Sequence, residues 1–172
     1  MKDQKEYFEN NKSRLLLQEH EPAPIVIHNM SKNKPIFLVC EHAGRTIPAK
    51  LGTLGLCERQ LRRHFAWDIG ALEVAKFVSV ALDIPLIEQR YSRLVYDCNR
   101  PPDAPDSIPL YGEEIKIPGN WAITDEQKKI RIEEIFQPYN NAVDYLFTRE
   151  NWEAVFSIHS FTPSYLGIRR PW

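Results

Sequence analysis

Short continuous runs of apolar residues mark the strands that this chain is predicted to form. Ile25 to Ile27 and Pro35 to Cys40 are the first two runs, and the second is apolar at successive positions. Such a run is typical of a strand that is buried on both faces of a parallel sheet. Pro85 to Glu88, Leu94 to Asp97 and Ala154 to Ile158 also have the length of strands. The pattern therefore predicts five strands.

A helical period separates the early runs from the later ones. The apolar positions that recur at helical spacing are Ala71, Val74, Ala75, Val78, Ala81 and Leu82. The polar residues Glu73, Lys76 and Ser79 fall on the opposite side. We expect a helix that covers the sheet with this apolar stripe and has Asp68 as its N-cap.

Capping-box spacings predict two further helices. An Asp or Thr is followed three positions later by Glu or Gln at residues 3 and 6 and again at residues 124 and 127. These pairs predict helices over residues 3–19 and 124–146, the second broken or kinked near Pro138. Residues 99–122 contain five prolines and two glycines, so they cannot be regular throughout.

Polar residues follow three of the predicted strands. Strands that alternate with helices indicate an α/β fold with a mostly parallel sheet, and such sheets bind ligands beyond the carboxyl ends of their strands. Glu41 and His42, residues 97–100, and the pair His159 and Ser160 occupy those ends. We therefore expect the functional site there.

Two of these residues are histidines with metal-binding chemistry. His42 and His159 are 117 positions apart, so only the fold could bring them together. Neutral imidazole and carboxylate are zinc ligands, and catalytic zinc commonly keeps one of its four positions open. Taken singly, each histidine is more often a hydrogen-bonded structural residue than a metal ligand.

Composition narrows the possible partners. The chain has 172 residues, a net charge of −1 and no excess of basic residues, so a nucleic-acid partner is not expected. No apolar run reaches the roughly 18 residues of a membrane span, and the polar N-terminus is unlike a signal peptide. A cytoplasmic location is therefore predicted.

Cys40, Cys57 and Cys98 form no CxxC pair, and we interpret Cys40 and Cys98 as structural thiols.

Four ordered motifs resemble the N-formylglutamate amidohydrolase family, whose wider group includes zinc carboxypeptidases and aspartoacylase. They are CEHAGRTIP, HFAWDIGA, YSRLVYDCNR and SIHSFTPSYLGIRRPW, and the resemblance spans about residues 35–172. It implies a three-layer αβα fold with a central mixed, mostly parallel sheet, of the phosphorylase/hydrolase-like kind. Residues 1–172 would form one domain that lacks the C-terminal part of its relatives.

The resemblance also implies the metal ligands. His42 and His159 match zinc-ligand positions, but Arg45 stands where the wider group has the glutamate of His-x-x-Glu. The third ligand is thus open, and Asp68 is preferred because it matches an aspartate of the family pattern. The alternatives are Glu41 and His64.

Further roles follow from the same resemblance. Asn99 and Arg100 look like the pair that grips a substrate carboxylate, with Asp97 orienting Arg100, because a guanidinium forms two parallel hydrogen bonds with a carboxylate. Arg93 resembles the arginine that polarises the scissile carbonyl in aspartoacylase. The relatives supply their proton-moving glutamate from beyond the position of Trp172. Glu41, directly beside His42, is the carboxylate of this chain that could substitute, but strand alternation turns it away from His42. We therefore expect poor turnover by this chain alone.

The predicted activity is zinc-dependent hydrolysis of N-formyl-L-glutamate, or of a similar N-acyl amino acid, to formate or another acid and the amino acid. One alternative is an N-acyl amino acid deacylase or carboxypeptidase-like hydrolase. Another is a catalytically silent domain that binds metal or an amino acid. The substrate would be a small molecule, and the oligomeric state is open.

Overall fold

A mixed four-stranded sheet lies at the centre of the structure. The computed structural model describes residues 15–30, 33–149 and 151–171. Its strands are β1 (Ile25–His28), β2 (Ile36–Cys40), β3 (Leu86–Gln89), β4 (Tyr111–Gly112), β5 (Ile115–Lys116), β6 (Ala154–Ser157), β7 (Ser164–Tyr165) and β8 (Ile168–Arg169). The central sheet has the order β1-β3-β2-β6. β2 is parallel to β3 and β6, whereas β1 is antiparallel to β3.

Helices cover both faces of this sheet. They are α1 (Glu58–Leu61), α2 (Ala71–Leu82), α3 (Asp125–Arg131) and α4 (Gln137–Arg149), with a π-helical segment at Ile132–Phe136 between the last two. Short 3-10 turns lie at Ala49–Leu51 and Pro118–Asn120. Successive side chains of a strand point to opposite faces. Accordingly, Phe37 of β2 belongs to the same core as Tyr139 of α4, and Leu38 to the same core as Ala75 of α2. The predicted α/β class is confirmed.

The helix α2 buries Ala71 and Ala75 of the predicted stripe, but its buried face is shifted to include Ser79 in place of Val74. Ser79 is only 1% exposed, whereas Val74 is 55% exposed. The Ser79 hydroxyl donates to the carbonyl of Ile84, which joins the end of α2 to the entry of β3. This buried hydrogen bond satisfies the Ser79 hydroxyl, so Ser79 can share the buried face of α2 with Ala71 and Ala75. The helix also begins at Ala71 after Gly70, so Asp68 is not its N-cap.

The prediction of a strand at Leu94 to Asp97 was wrong. The amide of Val95 donates to the carbonyl of Ser92, and the amide of Leu94 donates to the Ser92 hydroxyl. That hydroxyl in turn donates to the carbonyl of Ala66. Side-chain hydrogen bonds of this kind offer the backbone an alternative to a strand ladder, and the segment forms a turn.

The other predicted elements compare as follows. The helix over residues 3–19 lies mostly outside the described residues, and its described part, 15–19, is not helical because the amides of residues 15–17 donate to the carboxylate of Glu134. The capping box of Thr124 and Gln127 is confirmed, and the π segment ends just before Pro138. Residues 99–122 are irregular apart from the β4–β5 hairpin and one 3-10 turn. Within the described ranges, no helix combines the length and apolar character that a membrane crossing needs.

Candidate metal centre

Two histidines lie side by side just beyond the carboxyl ends of neighbouring strands. His42 follows β2 and His159 follows β6, two residues after each strand ends. Because β2 and β6 pair in parallel, both ends meet at one edge of the sheet. The two imidazole centroids are 4.9 Å apart.

A carboxylate from the loop before α2 completes the cluster. The amide of Asp68 donates to the carbonyl of His42 over 2.9 Å, which holds this loop against the end of β2. Oδ2 of Asp68 lies 2.8 Å from Nδ1 of His159 and 3.6 Å from Nδ1 of His42. One ligand atom from each of the three residues lies within 4.8 Å of the others. The structure thus brings together the three residues that the sequence nominated as metal ligands.

Asp97 and Arg93 flank the cluster from the turn that replaces the predicted strand. Oδ1 of Asp97 lies 2.7 Å from Nε2 of His42, and both side chains are buried. Nη2 of Arg93 donates to Oδ2 of Asp97 over 2.7 Å, and its Nη1 lies 3.6 Å from Oδ1 of Asp68. Asp97 therefore orients His42, a contact that the sequence interpretation missed when it assigned Asp97 to Arg100.

The donor set fits a divalent cation. With Nε2 of His42 hydrogen-bonded to Asp97, the neutral ring carries its free lone pair on Nδ1. That Nδ1 is buried without a hydrogen-bond partner and faces the Asp68 carboxylate. A lone pair directed at an anion is unfavourable unless a positive charge lies near both. A carboxylate bonded to the far nitrogen of a metal-binding histidine is the usual support for such a ligand.

Electrostatics also favour a cation here. Burial raises the pKa of Asp97, but the hydrogen bond and charge of His42, with the charge of Arg93, lower it overall to about 2. Burial likewise opposes ionisation of Asp68, yet its contacts with His159 and His42 hold its pKa well below the usual range. Burial disfavours the charged form of His42, but the contacts with Asp68 and Asp97 raise its pKa overall. Two ionised carboxylates therefore surround the imidazoles.

Glu41 lies on the other side of His159. Its Oε2 is 3.5 Å from Nε2 of His159 and accepts a 2.7 Å hydrogen bond from the Ser157 hydroxyl. The hydroxyl of Tyr139 is also hydrogen-bonded to Glu41, and burial is the main cause of the raised pKa of that tyrosine. The sequence analysis did not single out Ser157. The one signal that could have found it is strand alternation, since Ser157 ends β6 two positions before His159 and so lies on the same face.

The remaining candidates make contacts elsewhere. His64 lies 3.4 Å from Oε1 of Glu113. The guanidinium of Arg100 donates to Asp106 over 2.8 Å and to the backbone carbonyl of Asn99. Asn99 is exposed, with its amide hydrogen-bonded to Asp97.

The cysteines offer no nucleophile to this cluster. Cys40 and Cys98 are buried and Cys57 is exposed, and all three are free thiols. Burial is the main cause of the raised pKa of Cys40, about 12, and it also raises the pKa of Cys98. A thiol rather than a thiolate is expected at both buried positions near neutral pH.

Known proteins place the chain in a family. The structure of gene product Atu2144 from Agrobacterium tumefaciens is similar, with a TM-score of 0.86 and 40% identity; the match covers 90% of this chain and 63% of that one. No curated protein shows significant similarity. A family model described as N-formylglutamate amidohydrolase matches residues 34–171. With a match over most of its length, the chain belongs to the N-formylglutamate amidohydrolase family.

Proposed function

We propose that this chain is a zinc-dependent amidohydrolase domain that acts on N-formyl-L-glutamate or a similar N-acyl amino acid. Family membership supports amide hydrolysis of a small molecule. The observation that supports a metal ion is the buried Nδ1 of His42, which has no hydrogen-bond partner and faces the Asp68 carboxylate. Two imidazoles and one carboxylate are a ligand set of catalytic zinc.

His42, Asp68 and His159 would hold the ion. Zinc held by these residues would polarise the carbonyl to be cleaved and lower the pKa of a bound water toward about 7. Among the residues that the structure describes, Arg93 is well placed to stabilise negative charge that develops on the scissile oxygen, because its guanidinium is partly exposed and adjoins Asp68. The ion pair with Asp97 fixes the orientation of that guanidinium.

Glu41 was predicted to move the proton, and its contacts support a different role. Its carboxylate accepts hydrogen bonds from Ser157 and Tyr139. A carboxylate held by two hydroxyl groups is less available as a proton carrier than an open one. We therefore assign Glu41 to the support of His159.

Arg100 and Asn99 remain our candidates for the substrate carboxylate. The ion pair of Arg100 with Asp106 is exposed on both sides. Such pairs contribute about 0–1 kcal/mol, so a substrate carboxylate could displace Asp106 at low cost. Arg100→Lys keeps the charge and loses the fork. It should weaken N-formylglutamate binding much more than zinc binding; an unchanged substrate affinity would move the carboxylate site elsewhere.

Metal content tests the proposal directly. We expect elemental analysis of protein purified without added metal to find about one zinc per chain, as a single three-ligand site requires. His42→Ala and His159→Ala should each lose most of it. His64→Ala is the matched control, because His64 contacts Glu113 instead of the cluster. Full metal retention in both cluster variants would refute the assignment.

Turnover separates the possible activities. Hydrolysis should be compared for formyl-, acetyl- and peptidyl-glutamate, since a deacylase or carboxypeptidase would prefer the latter two. A catalytically silent binding domain is the second candidate, and it is favoured by the contacts of Glu41, whose carboxylate is held by the hydroxyls of Ser157 and Tyr139. Retained zinc and ligand binding without turnover of any of the three substrates would select that candidate.

The finer structural predictions belong to the same proposal. Helices on both faces of the sheet support a three-layer αβα arrangement. A single domain over residues 1–172 and a cytoplasmic location also remain predictions. Limited proteolysis tests the domain boundary, because a linker would be cut before the folded core.

A further inference from the structure

Ser157 connects Glu41 to His159 at the exposed edge of the sheet. Its hydroxyl oxygen lies 2.7 Å from Oε2 of Glu41 and 2.7 Å from Nε2 of His159. Ser157 is the last residue of β6, and its partner in β2 is Val39, two positions before Glu41. Side chains two positions apart share a face, so Ser157, His159 and Glu41 meet beside the end of β2.

The proton on this hydroxyl can be placed from its neighbours. A carboxylate offers only acceptors, so Ser157 must donate its single proton to Glu41. Its oxygen is then left to accept from an N–H at Nε2 of His159. With the ring proton on Nε2, the lone pair of neutral His159 lies on Nδ1, the atom 2.8 Å from Asp68. Both histidines thus direct Nδ1 at the same carboxylate.

We propose that Ser157 is a positioning residue that links Glu41 to His159 and holds His159 in the Nε2–H form, with Nδ1 directed at the cation site. The inference rests on the proposed metal-dependent function. Asp97 orients His42 by a direct hydrogen bond to Nε2. Glu41 orients His159 in the same way, but through the hydroxyl of Ser157. Outer hydrogen-bond partners of this kind fix the tautomer and ring orientation of a metal ligand.

If Ser157 donated its proton to His159 instead of to Glu41, the same contacts would indicate a nucleophilic serine. Ser157, His159 and Asp68 have the contacts of a serine–histidine–aspartate triad, at 2.7 and 2.8 Å. In a triad, however, the serine donates to the histidine and Asp68 accepts from Nδ1. That direction would leave the oxygens of Ser157 and Glu41 2.7 Å apart without a shared proton. The position of Glu41 therefore favours positioning over nucleophilic attack.

Zinc affinity measured by competition with a chelator tests the proposal. Loss of an outer partner of a metal-binding histidine typically weakens metal binding by about 10–100-fold. We expect Ser157→Ala to fall in this range, Glu41→Gln to weaken binding as well, and Ser157→Thr to restore affinity close to that of the original protein because it keeps the hydroxyl. Ser160→Ala is the matched control, because Ser160 bonds Asp68 through its backbone amide, which alanine keeps.

A second measurement separates positioning from general loss of structure. In the zinc-loaded protein, nitrogen-15 NMR should show a protonated Nε2 of His159 whose hydrogen exchanges slowly, and faster exchange in Ser157→Ala. Urea unfolding of the metal-free variants should remain cooperative and leave each variant folded under the conditions of the affinity measurement. Zinc affinity unchanged by Ser157→Ala overturns the inference and leaves the metal site standing. No zinc binding by the original protein overturns both, and labelling of Ser157 by a fluorophosphonate would show the triad instead.

Discussion

Asp97→Asn should destabilise the protein far more than the same change at an exposed ion pair. The Asp97 carboxylate contacts His42 and Arg93 at 2.7 Å each and accepts from the amide of Asn99 at 3.0 Å. Its side chain is 6% exposed and that of His42 is 2% exposed. Removing one partner of a buried charged pair costs about 3–5 kcal/mol, because the remaining charge is left without compensation.

The side-chain amide of Asp97→Asn decides how much stability is lost within this range of about 3–5 kcal/mol. Asparagine can still accept from Nε2 of His42 with its oxygen, but its NH₂ group then faces the guanidinium of Arg93, so two donors meet. The lower end of the range, about 3 kcal/mol, follows if Arg93 can swing toward solvent, since its side chain is 28% exposed. Asp106→Asn is the control, because Asp106 pairs with Arg100 at the surface and such pairs contribute about 0–1 kcal/mol.

Urea denaturation of the metal-free proteins provides the measurement. Comparable slopes would show that each variant unfolds to a similarly exposed state, so the midpoints report stability. A loss for Asp97→Asn within about 0.5 kcal/mol of that for Asp106→Asn would refute the argument that burial makes this contact strong. Acid offers a second check, since the pKa of Asp97 is lowered to about 2. Its stabilising contribution should be present above the unfolded value of about 3.9 and be lost as the pH falls toward 2.

Three further changes test the neighbourhood of the site. Gly44→Ala should destabilise the protein by about 1–3 kcal/mol or more in thermal unfolding, because a Cβ would overlap the backbone of Arg90; an unchanged melting temperature would contradict this close approach. In a version of the protein that turns over, Arg93→Ala should lower kcat more than it raises KM if the guanidinium acts in the transition state, and an unchanged kcat would make it structural. A thiol reagent should label Cys57 at once and the two buried cysteines only on unfolding, and three fast thiols would contradict their burial.

The sequence could predict the strand ends because burial leaves a simple signal. β2 is a continuous apolar run that parallel pairing buries on both faces, and His42 is among the first polar residues after it. His159 follows β6, whose short apolar run also predicts a strand, although most of its residues are exposed in the structure. What could not be predicted is that β2 and β6 are neighbours, since strand order depends on tertiary packing that no single run encodes.

Local hydrogen bonds account for the predictions that failed. Apolar spacing assigned Ser79 to the outside of α2, but its hydroxyl bonds the carbonyl of Ile84 and is buried there. Leu94 to Asp97 has strand-like residues, yet Ser92 bonds the backbone on both sides and turns the chain. In both segments, one serine hydroxyl outweighed the hydrophobic pattern because buried polar groups need partners.

Strand alternation helps in the choice between Asp68 and Glu41 as the third metal ligand, but it does not predict the contacts of His159. Alternation indicated that Glu41 points away from His42, and Glu41 indeed contacts Ser157 on the other side of β2. It could not reveal that His159, from the neighbouring strand, reaches both sides, with Nδ1 at Asp68 and Nε2 at Ser157. The ring of His159 therefore couples the two carboxylates that the sequence treated as rivals. Asp68 contacts the ring at Nδ1, and Glu41 is linked to Nε2 through the hydroxyl of Ser157.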